Sequence, residues 1–312
     1  MPSILDIFLI LVRFLPQVFV LYFVLACVMQ SGLLDIIAKK LSVPSKLLFS
    51  ILLGFGCTTL AVCSLESIPD KKQRNKIALL LSFIPCSAML PLIMLLLLGV
   101  LAVPFYVVFL VYLISIFVGL LFAFLIKDKN STRQSPHQSP TEYITACPLL
   151  FPNIPDALRQ SIYKTLLFTK KIAVAFVVSA FVIVILARFT FQFKYTADSE
   201  NSILFYICGV WSPIFKPVGL DNPAIICALL FGIIAKESAI SVLLLFPEIV
   251  SGLSVASAVS LLVFYTLYPV CVSCCMAISQ HCSKKTMPRL FVYNLIIAYL
   301  FSFFIYNFCA IL

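Results

Sequence analysis

Long apolar stretches without a single charge constrain this chain more than any other feature of its sequence. Residues Ile77–Ile126 and Leu290–Leu312 contain no Asp, Glu, Lys or Arg. About 18 such residues are enough for a helix to cross a lipid bilayer. Charged residues make up only 11% of the 312 residues, against about a quarter in soluble domains. The sequence therefore predicts an all-α polytopic membrane protein.

Two apolar segments in the N-terminal half are each interrupted near the middle. The first interruption is Gly54-Phe55-Gly56-Cys57, and the second is Pro85-Cys86-Ser87. Gly and Pro weaken or break helices. The backbone groups that a break frees are tolerated at membrane depth only where protein or a water-filled cavity surrounds them. Interrupted segments in matching halves of a chain indicate the substrate site of a transporter.

The C-terminal half carries a second pair of interrupted segments. Residues 53–60 align with residues 231–238, and residues 83–87 align with residues 267–271. Each half reads as span, hairpin, broken span and span, and three spans per half make the second copy run in the opposite direction. The predicted fold is an inverted repeat of two gate units with re-entrant hairpins and broken helices.

The predicted domains are two membrane repeats around a polar segment. Residues 1–126 form the first gate repeat, residues 127–162 a Pro- and Ser-rich cytoplasmic linker, and residues 163–312 the second gate repeat. The N-terminus lacks a basic region followed by a small-residue cleavage site, so its first apolar run is expected to be a retained span.

Two topologies compete, and the basic residues discriminate between them. If every apolar run crosses the membrane, the chain has eight spans, and Lys and Arg divide almost evenly between the two sides. If Ser45–Leu65 and Pro223–Phe246 are re-entrant hairpins, it has six. The outside loops then hold only Arg13, Arg188, Lys194 and Lys216. Because basic residues favour cytoplasmic loops, the sequence predicts six spans in the cytoplasmic (inner) membrane.

No site typical of a soluble enzyme is found in the sequence. There is no Gly-x-x-x-x-Gly-Lys-Ser/Thr phosphate loop, so the chain itself is not expected to hydrolyse nucleotide. His137 and His281 are predicted in loops, which argues against a buried histidine metal site. We therefore expect a transport protein that is not an enzyme and binds no permanent cofactor.

Two charged residues are predicted inside an apolar segment. Glu237 is the only carboxylate in such a position, and Lys236 is its neighbour. Each charge at mid-bilayer costs about 2.5–3.5 kcal/mol on insertion scales. Their presence indicates either mutual pairing or a role in binding substrate. An ion pair that only pins the tip of the hairpin remains an equal alternative.

Cysteines at the helix breaks are the candidate metal ligands. Cys57 and Cys86 lie where backbone carbonyls can also face a cation, and Cys271 would face them from the second half. Sulfur suits softer transition metals better than Na⁺, Mg²⁺ or Ca²⁺. The alternative is that small residues merely allow close helix packing. The candidate metal ligands are Cys57, Cys86, Cys271 and Glu237, and the candidate pathway residues are Thr58, Ser87, Met89 and Lys236.

At these motifs the chain resembles the membrane domain of the ferrous iron transport protein B family, which is similar to nucleoside-transporter gate domains. The resembling segments follow one another in order from Phe14-Leu15-Pro16-Gln17, through Gly54-Phe55-Gly56-Cys57 and Cys86-Ser87-Ala88-Met89-Leu90-Pro91, to Ala235-Lys236-Glu237 and Tyr268-Pro269-Val270-Cys271. The resemblance implies that Fe²⁺ passes the gate cysteines, which are here Cys57, Cys86 and Cys271.

The chain departs from the family pattern at several positions. The family usually has Asn-Val-Pro where this chain has Thr58-Thr59-Leu60, and Arg at the position of Met89. The family has an acidic pair where this chain has Met29-Gln30. Beside Cys271, the order of Pro and Val is exchanged relative to the family pattern. The family's GTP-binding domain is not found in this sequence, so coupling to nucleotide would need a separate GTPase subunit on the basic inside loops.

The predicted function is uptake of ferrous iron, or another divalent transition metal, by a truncated permease of this type. One alternative is a nucleoside-type organic solute transporter with the same gate fold, in which Lys236, Glu237, Ser87 and Thr58 would bind the substrate. The other is a non-transporting membrane partner. The expected partners are Fe²⁺ or another transition metal, the lipid bilayer and a GTPase subunit, with no role for nucleic acid.

Overall fold

The computed structural model describes residues 45–125, 153–167 and 202–311, except 69, 164, 245 and 284, together with isolated residues between 16 and 40 and residues 185 and 189. Within these ranges every regular element is a helix. The first apolar run, predicted as a span over residues 14–29, is described in part. Most of the linker, and all but residue 185 of a further predicted span at 171–187, lie outside the described residues. The last part of the linker is described, and residues 154–163 are helical.

The first half contains two helices that are each interrupted once. Helix α1 (Ser45–Gly56) ends at Cys57, whose backbone is extended (φ −150°, ψ 112°), and α2 (Thr58–Ser64) begins at the next residue. Helix α3 (Lys71–Ser82) is capped by Asp70 and stops before Pro85. The chain then resumes a helical path in a 3₁₀ turn (Ser87–Met89), α4 (Leu90–Met94), a π-helical segment (Leu95–Val100) and finally α5 (Tyr106–Leu125).

The second half repeats this order after one additional helix. Helix α6 (Ile203–Phe215) leads through a turn at Gly219, which has φ +72°, into α7 (Pro223–Ile234). Ala235 is extended (φ −140°, ψ 124°) and separates α7 from α8 (Lys236–Leu243). The remaining helices are α9 (Pro247–Ser251), α10 (Val255–Leu267), α11 (Val272–His281) and α12 (Thr286–Ile311).

The helix breaks of the two halves lie at matching positions. Cys57 and Ala235, which align in the sequence, are each a single extended residue between two helices. The longer breaks each end at a cysteine with extended backbone, Cys86 with ψ 163° and Cys271 with ψ 162°. In the sequence alignment, by contrast, Cys86 stands opposite Val270. The second long break is therefore shifted by one residue relative to that alignment.

Helices of the two halves pack against each other in exchanged pairs. Helix α2 packs against α11, and α8 packs against α4. Each helix that follows a single-residue break thus lies beside the helix that follows the longer break of the other half. Within the halves, α3 contacts α5 and α10 contacts α12, and between the halves α3 contacts α12 and α10 contacts α5. A continuous core of buried apolar side chains fills the space between them, with Leu60, Leu92, Ile93, Phe264 and Tyr265 among the most buried.

Several described helices are long and apolar enough to cross a membrane. They are Lys71–Val100, Val255–His281 and Thr286–Ala310, and the pair Phe205–Val218 and Pro223–Ile234 would add a fourth if its 100° bend lies within one span. Helix α5 exposes a row of large apolar side chains, including Phe109 and Phe117, as expected of a helix that faces lipid. The prediction of a helical membrane protein is confirmed.

Two chain reversals from different halves lie side by side. The Glu66 carboxylate, after α2, lies 3.7 Å from Nδ1 of His281 at the end of α11. The backbone N–H of Ser283 donates to Oδ1 of Asn75 on α3 at 3.2 Å. The segments after α2 and after α11 are therefore at the same end of the molecule.

Candidate functional site

The helix breaks of the first half contact each other and also reach the second half. The hydroxyl of Ser87, at the long break, donates to the carbonyl oxygen of Gly56, the last residue of α1, at 2.8 Å. Thr59, in the first turn of α2, has its Oγ1 3.8 Å from Sγ of Cys271. Residues predicted as gate positions from separate motifs are thus brought together in space.

The three candidate cysteine ligands occupy the same structural position. Cys57, Cys86 and Cys271 each immediately precede a helical segment that resumes after a break. At this position a helix presents backbone N–H groups without intrahelical acceptors, and its dipole favours negative charge. All three side chains are partly buried and pack against the hydrophobic core.

The Cys57 thiol lies within electrostatic range of the thiols of Cys86 and Cys271. Among the side chains that the structure describes, however, no group of three His, Cys, Asp or Glu residues is arranged to hold a metal ion. The side chain of Glu237 lies outside the described residues, although its backbone belongs to α8. The predicted metal-ligand set therefore stays a prediction.

Lys236 is buried, with 6% of its surface exposed, and its ammonium group contacts the broken backbone of its own half. Nζ donates to the carbonyl oxygen of Pro269 at 2.7 Å and to that of Tyr268 at 3.4 Å. It also lies 4.0 Å from the centroid of the Tyr268 ring and 5.6 Å from that of Tyr265. Carbonyl groups at a broken helix lack intrahelical hydrogen-bond donors. The ammonium group of Lys236 donates to two of these carbonyl groups instead.

Two tyrosines hold the break at Ala235 from the side of α10. The Tyr265 hydroxyl donates to the carbonyl oxygen of Lys236 at 2.5 Å, and the Tyr268 hydroxyl donates to that of Leu229 on α7. Sequence reasoning did not assign a role to either tyrosine. The available signal was the presence of tyrosines in an apolar helix, because a buried Tyr hydroxyl usually needs a hydrogen-bond partner.

At the long break of the first half, a carbonyl oxygen accepts a hydrogen bond from a tyrosine and not from a lysine. The hydroxyl of Tyr112 on α5 donates to the carbonyl oxygen of Cys86 at 3.4 Å. The Tyr112 ring is stacked on that of Phe55, with centroids 6.5 Å apart. Thr58, which aligns with Lys236, is buried at the start of α2. The aligned position thus carries a cationic side chain in one half and a neutral hydroxyl in the other.

The remaining candidate residue, Met89, is buried next to the same break. Its backbone N–H donates to the carbonyl oxygen of Cys86 at 3.0 Å, and its side chain belongs to the core. Another thiol, Cys274 on α11, is fully buried and lies within electrostatic range of Cys57, Cys63, Cys271 and Cys275. The sequence predicts Cys274 and Cys275 one turn after Cys271, facing Cys57 and Cys86 from the second half. It gives no role to Cys63.

Comparison with known proteins agrees with the family resemblance. The chain is similar to the Fe(2+) transporter FeoB of Methanocaldococcus jannaschii, with 26% identity over 311 residues, covering 92% of this chain and 46% of that protein. Identity to the Fe(2+) transporter FeoB of Staphylococcus aureus strain MSSA476 is 25% over 317 residues, covering 94% and 46%. For that of Legionella pneumophila strain Lens, identity is 24% over 250 residues, covering 74% and 32%.

The resemblance to ferrous iron transport protein B is thereby confirmed at the level of sequence similarity. The chain spans about half the length of the first two of these relatives. No family model matches the sequence. No solved structure matches it either.

Proposed function

We propose that this chain is a membrane permease for Fe²⁺ or a similar divalent transition metal, and that the metal passes the region where the helix breaks meet. The similarity to Fe(2+) transporters over more than nine-tenths of the chain carries the proposal. The position of Cys57, Cys86 and Cys271, each directly before a helical segment that resumes after a break, supports it. Sulfur and carbonyl oxygen together offer ligands that a partly dehydrated transition metal accepts.

The exchanged packing of the two halves supports the proposed inverted repeat. The packing of α2 against α11 has a counterpart in the packing of α8 against α4, as expected for a two-fold relation between the halves. With three spans in each half, this relation reverses the direction of the second copy across the membrane. The pathway then lies between the halves, where the four breaks meet.

The contact between Glu66 and His281 supports six spans rather than eight. Eight spans would place the segments after α2 and after α11 on opposite sides of the membrane, whereas six spans place them on the same side. The two residues are 3.7 Å apart. The nearby Lys71, Lys72 and Arg289 are exposed, and the positive-inside bias assigns this end to the cytoplasmic side of the inner membrane.

A separate GTPase subunit is part of this proposal. The exposed basic residues at the cytoplasmic end offer an anion-binding face for a soluble partner. A metal gradient can drive flux through the permease alone. The partner is therefore proposed for uptake against a gradient.

A nucleoside-type organic solute transporter is the second candidate. It is favoured by one observation, that the described side chains include no ready-made group of three metal ligands. Thr58, Ser87 and Lys236 would supply the hydrogen bonds that such a solute needs.

Flux measurements in vesicles separate the two candidates. The purified chain is reconstituted, and radiolabelled Fe²⁺ is applied under reducing conditions with an inward gradient. We expect saturable uptake of Fe²⁺ that Mn²⁺ inhibits by competition. Cys57→Ser and Cys86→Ser should each lower this uptake about tenfold or more, since mutation of residues that only support metal ligands already changes metal affinity or activity by that factor. Cys309→Ser, at the end of α12, is the matched control. Uptake of labelled nucleoside without uptake of any metal would replace the first proposal by the second.

A further inference from the structure

The long break of the second half turns three consecutive carbonyl groups toward side-chain donors. The carbonyls of Tyr268 and Pro269 accept from Lys236, and the carbonyl of Val270 accepts from Sγ of Cys275 at 3.7 Å. Such a cluster of carbonyl oxygens is the kind of arrangement with which membrane proteins replace the hydration shell of an ion.

We infer that the carbonyl oxygens of Tyr268 and Pro269 form a cation-binding site whose resident cation is the ammonium group of Lys236, and that a free cation competes with this ammonium for the same oxygens. The site itself is independent of the proposed function. The identity of the natural competitor as the transported metal rests on that function.

The described surroundings of Lys236 are groups that stabilise a bound cation. Among the side chains that the structure describes, which do not include that of Glu237, no carboxylate contacts Nζ. Its described contacts are the two carbonyl oxygens and the faces of Tyr268 and Tyr265. Carbonyl dipoles and aromatic faces stabilise positive charge without being specific for an amine. An inorganic cation can therefore occupy the same place when the ammonium leaves.

The ammonium and a metal ion cannot occupy this region together without a large penalty. Lys236 lies within electrostatic range of Cys86 and Cys271, two of the candidate metal ligands. Two unit charges about 4 Å apart at an effective dielectric constant of about 20 repel each other enough to weaken binding roughly a thousandfold. Lys236 therefore keeps the carbonyls satisfied when no ion is present, and it withdraws when an ion binds there.

The two halves differ in this respect. Thr58 aligns with Lys236 but has no charge, and a tyrosine hydroxyl satisfies the carbonyl of Cys86. The built-in cation is therefore present at the break of the second half and not at the aligned position of the first. Competition with Lys236 would give the long breaks of the two halves different affinities for the same ion.

The test is the thermal unfolding midpoint of the detergent-solubilised chain in potassium chloride and in N-methyl-D-glucamine chloride. N-methyl-D-glucamine is a bulky, hydrophilic cation that does not fit a carbonyl site, so it serves as the inert cation. We expect Lys236→Met to unfold at a lower temperature than the wild type in N-methyl-D-glucamine and to recover most of this loss in K⁺, whereas the wild type changes little. Lys216→Met, at an exposed position after α6, should behave like the wild type. Loss of stability that K⁺ does not restore, or no loss at all, overturns the inference.

A second measurement uses the wild type and does not depend on the folding of a variant. The amine of Lys236 is reductively methylated with and without Mn²⁺, and its modification is quantified by mass spectrometry relative to Lys216. We expect Mn²⁺ to increase methylation of Lys236 several-fold, because a displaced ammonium is more accessible. An unchanged ratio overturns the competition.

The unfolding experiment on Lys236→Met and the uptake experiment in vesicles together separate this inference from the proposed function. If K⁺ rescues Lys236→Met while vesicles take up no metal, the site stands and the permease proposal fails. If vesicles take up metal but Lys236→Met shows no dependence on K⁺, the inference alone fails.

Discussion

The hydroxyl oxygen of Thr59 lies 3.8 Å from the sulfur of Cys271, although 212 residues separate the two in the chain. Thr59 is in the first turn of α2, and Cys271 immediately precedes α11. The two helices start from the same place and run side by side to Glu66 and His281, which are also in contact. A pair of half-helices thus connects the region of the breaks with one end of the molecule, and the cysteines lie along it.

Cadmium inhibition should report on the sulfur groups at the start of this pair. Cd²⁺ is a soft cation that prefers thiolate ligands. We expect micromolar Cd²⁺ to block uptake by the wild type. For the same degree of inhibition, a Cys57→Ser/Cys271→Ser double variant should need a Cd²⁺ concentration at least about tenfold higher, because two direct ligands are removed. Cys309→Ser is the control, and equal inhibition of all three proteins would show that Cd²⁺ acts elsewhere.

The hydrogen bond between Ser87 and Gly56 should stabilise the contact between two breaks. Its loss in Ser87→Ala is expected to cost about 1 kcal/mol of unfolding free energy, or about 1–2 °C in the unfolding midpoint of a chain of this size. Ser279→Ala is the matched control, because the Ser279 hydroxyl is exposed and donates to the Met276 carbonyl one turn away in the same helix. Equal midpoints for the two variants would contradict a role for Ser87 in joining the breaks.

Most of the helix breaks could be predicted from local sequence. Gly56, Pro85 and Pro269 are residues that disfavour a continuous helix, and each lies in or beside a break. The break at Ala235 has no such residue beside it, because Gly232 lies three residues earlier, inside α7. It was predictable only because residues 231–238 align with residues 53–60, in which Cys57 occupies the equivalent position.

The contacts that complete the site were not predictable in this way. Periodicity and spacing describe one element at a time, whereas the partners of Lys236 depend on how α8 packs against the end of α10. The sequence offered the adjacent Glu237 as a partner, a pairing that stays a prediction because the Glu237 side chain lies outside the described residues. The carbonyls of Tyr268 and Pro269, which accept from Lys236, had no signal in the sequence. The one-residue shift between Cys86 and Cys271 is likewise set by backbone geometry that similar motifs do not encode.

Close packing at Gly119 should fix the long break of the first half. A Cβ atom at this position on α5 would lie 2.7 Å from Cβ of Phe83, where α3 ends. Because Cβ of Phe83 moves only with its backbone, Gly119→Ala should force the helices apart and lower the unfolding midpoint by several degrees, the order expected for an overpacking cost of about 1–3 kcal/mol. The measurement is thermal unfolding in detergent.

Gly209 provides the control for this substitution. It lies inside α6, and a Cβ atom there would meet no atom within 4 Å. Gly209→Ala should leave the midpoint unchanged or raise it, since Ala is a better helix former than Gly by about 1 kcal/mol. A Gly119→Ala variant as stable as Gly209→Ala would mean that α5 and the break are not packed as described.

The side-by-side position of the segments after α2 and after α11 predicts the outcome of a labelling experiment on the native chain. A membrane-impermeant amine reagent is applied to right-side-out and to inverted vesicles, and modification of Lys72 and Lys285 is measured by mass spectrometry. Both amines are exposed, so neither needs the chain to open before it reacts. Since Glu66 contacts His281 and Asn75 accepts from Ser283, the two lysines should react in the same vesicles, and the positive-inside bias makes these the inverted ones. With eight spans, Lys72 and Lys285 would react in opposite preparations, because an odd number of crossings would then separate the two segments.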